Sequence, residues 1–229
     1  MRVAVVVALL LTACSVQERQ ERKPAPVVDR DPAAVIARVR KVPGAGERLR
    51  PDSALVPATL GVKLDKPEKG DLEVILPLTA RGPLRIARDA ERVVDVTAEH
   101  AVDARGLVES GAMVFVAPSP DADAVMIAER ARFTELRVLR GPATTMARWR
   151  LRLGEGLVGA RLAGDSVELV SSSGAAWLRS EPFVAIDAAG EKHAVTPRLE
   201  GSGRSVTLTL EIEAKAVRFP ATVVVAWSE

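Results

Sequence analysis

Two histidines, one cysteine and a scatter of acids are the side chains from which a metal or catalytic site in this chain would have to be built. His100 and His193 lie far apart, with no cysteine or second histidine at ligand spacing. Zinc would therefore need mostly carboxylates, and surface or hairpin positions are expected for both. Asp121 and Asp123 could offer two carboxylates to calcium. A calcium loop adds further acids and a glycine for its sharp turn, neither follows here, and a solvated Pro/Asp loop is the expected reading. A serine hydrolase would need Ser, His and an acid around an oxyanion hole, but no Gly-x-Ser-x-Gly elbow occurs. Ser171-Ser172-Ser173-Gly174 reads as a polar turn. Gly154-Glu155-Gly156-Leu157-Val158-Gly159 has dinucleotide-binding spacing, yet the strand before it exposes arginines and no helix has room to open before Gly164-Asp165. A glycine-rich hairpin is expected instead. No catalytic residue, metal ligand or cofactor is assigned.

The clearest charged feature is a row of arginines. In Ala147-Arg148-Trp149-Arg150-Leu151-Arg152-Leu153 every second residue is apolar, so Arg148, Arg150 and Arg152 share one face of a strand and Trp149, Leu151 and Leu153 the other. Unpaired guanidinium groups are costly to bury, so the apolar face must point inward. The arginine face, with Arg137 and Arg140 close by in sequence, could meet an acidic surface such as phosphorylated lipid or polysaccharide. The simpler expectation is pairing with glutamates across the sheet, or solvation.

The elements that position these residues are strands. From about Leu60 onward the pattern has period two, as in Val206, Leu208, Leu210 and Ile212 alternating with Ser205, Thr207, Thr209 and Glu211. Further strands are expected over 72–78, 93–98, 112–117, 133–139, 167–170, 183–186 and 222–227. Turns are expected at Arg81-Gly82-Pro83, Glu109-Ser110-Gly111, Arg140-Gly141-Pro142, Ala163-Gly164-Asp165, Ala189-Gly190 and Gly201-Ser202-Gly203. A turn of helix fits only around 124–130. Many short strands with Gly/Pro turns predict an all-β, antiparallel β-sandwich-like fold of one or two subdomains, 60–141 and 142–229.

Residues 14–59 are charged and rich in Pro and Gly, and read as a flexible tether with one short helix at 32–41, capped by Asp31 and opened by Pro32. The 32 basic and 30 acidic residues nearly cancel, so nucleic acid is not an expected partner. Tyrosine is absent, which removes many of the rings that stack on sugars or bases. A single cysteine allows no intramolecular disulfide, so stability must come from apolar packing.

The chain begins with Arg2, an apolar run of roughly ten residues and then Leu11-Thr12-Ala13-Cys14. The run is too short to span a bilayer, which takes about 20 residues. It has the build of a secretory signal over 1–13. Leu11, Thr12, Ala13 and Cys14 resemble the lipobox of bacterial lipoproteins. The resemblance implies cleavage before Cys14 and membrane attachment through lipid on that cysteine. Ser15 stands where an inner-membrane retention signal would carry aspartate, which points towards the outer membrane.

Three later stretches, Leu76-Pro77-Leu78-Thr79-Ala80-Arg81-Gly82-Pro83-Leu84, 181–190 (Glu-Pro-Phe-Val-Ala-Ile-Asp-Ala-Ala-Gly) and Phe219-Pro220-Ala221-Thr222-Val223-Val224-Val225, resemble a β-rich module. That module stands near the N-terminus of secreted myxobacterial proteins carrying Kelch, integrin-like or RHS-type repeats. Its usual ending is replaced here by Val225-Ala226-Trp227. The resemblance implies an extracytoplasmic structural or adhesive unit and brings no catalytic residues. The resulting expectation is a non-enzymatic structural or binding component of the cell envelope, with an envelope protein or polysaccharide as partner. The alternative is an envelope hydrolase built on carboxylates.

Overall fold

The computed structural model describes residues 31–49, 54–65, 68–142, 146–213, 215 and 217–229. The signal segment and Cys14 lie outside them. The fold is all-β and antiparallel, as the alternation predicts. Strands β1 (Leu55–Ala58) and β2 (Gly61–Leu64) form a hairpin that runs on into β3 (Glu73–Leu76), β4 (Leu84–Ala87) and β5 (Val93–Ala98). A second meander contains β6 (Gly106–Glu109), β7 (Ala112–Ser119), β8 (Ala122–Glu129) and β9 (Arg132–Leu139). The chain then continues through β10 (Met146–Leu153), β11 (Leu157–Ala163), β12 (Ser166–Ser171) and β13 (Ala176–Ser180). It ends with β14 (Val184–Ile186), β15 (Lys192–Ser202), β16 (Ser205–Ile212) and β17 (Ala221–Ser228).

Two layers result. The first is ordered β1-β2-β3-β4-β5-β10-β16-β15. The second is ordered β6-β7-β8-β9-β17-β14, and β13, with β12 and β11 beyond it, joins β17 further along the same strand. Strand β15 stitches the layers together, because its residues 192–194 pair with β14 and its residues 195–202 with β16. On the other side a bridge between Thr79 and Arg105 and a hydrogen bond from Leu72 N to Arg130 O (2.8 Å) draw the layers together. The sandwich is thus nearly closed, like a barrel, which leaves few free edges.

Local chemistry explains the turns. Ser110 and Gly111, both with positive φ, form the two-residue loop between β6 and β7. This is the mirror-image turn whose twist matches antiparallel strands. Gly106 has a different reason: a Cβ there would meet Met113 Sδ at 2.4 Å and the Phe115 ring at 2.8 Å.

Inward-facing residues of both layers form one apolar interior. Leu76, Phe115 and Phe133 meet Trp149, Leu208 and Trp227 in a single cluster. The expected boundary at Arg140-Gly141-Pro142 lies between β9 and β10, and the β5–β10 and β9–β17 ladders both cross it. The chain on its two sides therefore shares one core.

Residues 32–49, expected within the tether, are packed on the fold. Helix α1 (Pro32–Arg40) starts as its residues predict, with Asp31 Oδ1 accepting from Ala33 N at 3.0 Å and Pro32 opening the first turn. Nine residues cannot hold a helix alone. Val35, Ile36 and Val39 supply the stability by covering Val114, Val125, Ile127, Leu136 and Val224 on the outer face of the second layer. These three apolar residues are visible in the sequence, but the sheet that receives them is not. The same covering explains a second difference: residues 124–129 belong to β8, not to a turn of helix, with Arg130 in the turn that follows, and β8 is buried on both faces. No helix of the described residues is long and apolar enough to cross a membrane.

Candidate functional site

The strand alternation of the first layer builds a polar outer face. Strand β10 shows the expected split, with Trp149, Leu151 and Leu153 buried and Arg150 and Arg152 exposed. On this face Arg150 lies between Thr97 of β5 and Thr207 of β16, and Arg152 between Asp95 and Ser205. Glu99 takes two arginines, Arg148 Nε at 3.4 Å and Arg150 Nη2 at 3.1 Å, and Arg148 also reaches Glu200 at 3.3 Å. The expected cross-strand glutamates are thus present. Arg85 holds Asp95 through two hydrogen bonds of 2.8 and 3.2 Å, and these raise the Arg85 pKa further above its ordinary value. Exposed pairs of this kind contribute about 0 to 1 kcal/mol each, so they order the face more than they stabilise the fold.

Arg152 is different. The carboxylate directly opposite it, Asp95, is occupied by Arg85, and no ion pair or hydrogen bond holds the Arg152 guanidinium among the described residues. It lines two shallow grooves. One, of about 470 Å³, also contains Pro83, Thr97, His100 and Arg150. The other, of about 690 Å³, contains Glu73, Arg85, Asp95 and Glu155.

The remaining sequence candidates are dispersed. Asp123 is not in a solvated loop: it sits fully buried in β8, with Oδ2 3.0 Å from Arg38 Nη1 of α1. Its Oδ1 accepts from Ala117 N at 2.9 Å and from Arg140. Two guanidinium groups occupy the oxygens a cation would need. His100 is an exposed turn residue with positive φ. His193 lies on β15 and meets Asp187 Oδ2 at 3.2 Å. Burial works to raise the Asp187 pKa, but His193 and the backbone N–H groups of Glu191, Ala189 and Arg218 outweigh it and hold the carboxyl below its usual range. Asp187 thereby fastens the β14–β15 turn. The Gly154–Gly159 segment is not the expected hairpin: β10 pairs with β5 and β16 and β11 with β12, so its glycines turn the chain from the first layer into the second, tied back by Gly154 N to Val93 O (2.7 Å) and Gly156 N to Glu91 O (3.0 Å). Ser171 Oγ bonds within its own turn. Among the described residues no three His, Cys, Asp or Glu side chains converge on a metal position.

Sequence reasoning missed a polar group inside the core. Glu135 and Arg137 of β9 are both buried, and Arg137 is not part of the outer arginine row. Trp149 Nε1 donates to Glu135 Oε2 at 3.1 Å. Arg137 lies 3.4 Å from Glu135 Oε1 and its guanidinium 5.0 Å from the centre of the Trp149 ring, a cation–π contact. Alternation of Phe133, Glu135, Arg137 and Leu139 placed the four on one face; their direction became clear only once α1 covered the other.

Burial raises the Glu135 pKa from its ordinary value, against the smaller opposing effects of Arg137 and the Trp149 hydrogen bond. The native state therefore holds this proton more tightly than the unfolded chain does. Its contribution to stability is fullest below the ordinary carboxylate pKa and falls as pH rises through the native value. Glu135→Gln should remove that decline. The urea midpoint of the variant, measured relative to wild type, is expected to rise between pH 4 and pH 7; a difference that stays constant with pH would show that Glu135 does not titrate in this way.

Every buried carboxylate among the described residues is engaged: Asp123 by Arg38 and Arg140, Glu135 by Trp149 and Arg137, Glu168 by Arg161 and Arg179, Asp187 by His193. The Glu168 pKa is lowered chiefly by its hydrogen bonds to Arg161 and Arg179. No protein-family model matches the sequence, and comparison with curated proteins finds no match.

Proposed function

We propose that this chain is a lipid-anchored cell-envelope protein with a non-enzymatic binding or structural role, and that the outer face of its first layer is the contact surface. The observation that carries the reading is the engagement of every buried carboxylate described above. A hydrolase working through acids needs a pair of carboxylates free to exchange protons over a cleft, whereas here each buried acid is committed to arginine, tryptophan, histidine or backbone N–H. What is left accessible is a broad polar strand face with shallow grooves, a form suited to recognition.

Anchorage rests on Leu11-Thr12-Ala13-Cys14. From Cys14 to the N-cap Asp31 the chain can reach at most roughly 60 Å, so lipid on Cys14 would hold the sandwich within that distance of a bilayer. Two or more acyl chains suffice for stable attachment, where one binds only marginally. Ser15 directs the proposal towards the outer membrane. Cys14→Ser is expected to abolish labelling by radioactive palmitate and to release the protein from the membrane fraction. Palmitate still incorporated into that variant would end the lipoprotein reading.

A further inference from the structure

The structure assigns a ligand class to the groove face: we propose that Arg152 receives a carboxylate of an acidic envelope polysaccharide lying across β5, β10 and β16. This rests on the binding role proposed above and names its substrate. Among the described residues Arg152 is the member of its row left without a partner, because Arg85 has taken the acid opposite. Its planar fork matches a carboxylate through two parallel hydrogen bonds, a geometry lysine cannot provide. Ser205, directly across on β16, and Thr97 and Thr207, flanking Arg150, bring hydroxyl groups to the same face. Asp95 and Glu99, already neutralised by arginines, keep lone pairs that can accept from sugar hydroxyls. Arg204, exposed at the turn between β15 and β16, stands at the same end of the sheet, where its carbonyl accepts from Leu153 N at 2.9 Å.

Two features favour an acidic glycan over the alternatives. No tryptophan or phenylalanine ring lines either groove, so a neutral sugar would find no broad stacking platform. None of the strongly exposed large apolar residues (Leu60, Leu78, Val102, Leu107, Val108, Met146, Val158 and Leu162) lines them either, and most of the face's cations are already paired. A membrane surface would therefore gain neither apolar insertion nor a cluster of free charges.

The test uses the full chain in neutral detergent and titrates it with polygalacturonate, with dextran as the uncharged control. Polygalacturonate should bind at low salt, weaken as salt rises, and bind Arg152→Ala at least tenfold less tightly. Arg152→Lys should recover only part of the affinity, and Arg198→Ala, whose arginine pairs with Glu211 away from the grooves, should bind like wild type. Equal binding by wild type and Arg152→Ala, or no binding of polygalacturonate at all, overturns the proposal. So does equal binding of dextran, or Arg152-dependent binding to vesicles of anionic phospholipid in place of the polymer. Palmitate labelling of Cys14 distinguishes the two levels: failure of the glycan with labelling intact removes the ligand and leaves the anchored reading, and loss of labelling does the reverse.

Discussion

Trp149→Ala is expected to remove about 3 to 5 kcal/mol of stability, the cost of deleting a large buried aromatic side chain from a packed core. Trp149 is 3% exposed and stands on the central strand β10, between β5 and β16. Two further losses add to the cavity: Glu135 Oε2 loses its donor, and Arg137 loses the ring it faces. Domains are typically stable by only about 5 to 15 kcal/mol, so this single change consumes much of the margin. Arg150→Ala, one residue along and on the opposite face, should cost less than about 0.5 kcal/mol. Urea unfolding followed by circular dichroism measures both. Equal costs would mean that the two faces of β10 are not inside and outside.

The second large effect is expected at Asp123. Its carboxylate is fully buried and neutralises Arg38 and Arg140 while accepting from Ala117 N. Removing it leaves two guanidinium groups facing each other beneath α1. Breaking a buried pair in this way costs about 3 to 5 kcal/mol, and the partial exposure of both arginines places Asp123→Ala near the lower end, about 3. The loss should be local before it is global, because α1 depends on its docking. Trypsin should cut after Arg38 and Arg40 much faster in the variant than in wild type. Unchanged cleavage would mean that the apolar stripe of Val35, Ile36 and Val39 holds the helix without the ion pairs.

These two residues also mark how much could be read before the structure. The arginine–apolar alternation of β10 was legible because one face of that strand is wet, and period two survives in sequence only where the faces differ. Strands β8 and β9 lost that signal. With α1 on one side and the core on the other both their faces are buried, so 124–130 read ambiguously and Asp123 looked like part of a loop. Docking of α1 itself was hidden, since three apolar residues in a charged segment say nothing of the sheet that receives them.

For the candidate site, residue order alone determined that Arg148, Arg150 and Arg152 share an outward face and that the fold is antiparallel and all-β; the glycine-rich segment, expected as a hairpin, proved to be a crossover between the layers. The tertiary structure decided which arginine of the row has no partner among the described residues. That depends on Arg85 and Asp95 meeting across β4 and β5, and on β5 rather than another strand lying beside β10. It likewise decided that Glu135 and Arg137 turn inward to meet Trp149. Alternation is a local property of the backbone and is written in neighbouring residues. The choice of strand partner and the pairing of charges depend on packing between segments distant in sequence, where many arrangements satisfy the local pattern and only the assembled core selects one.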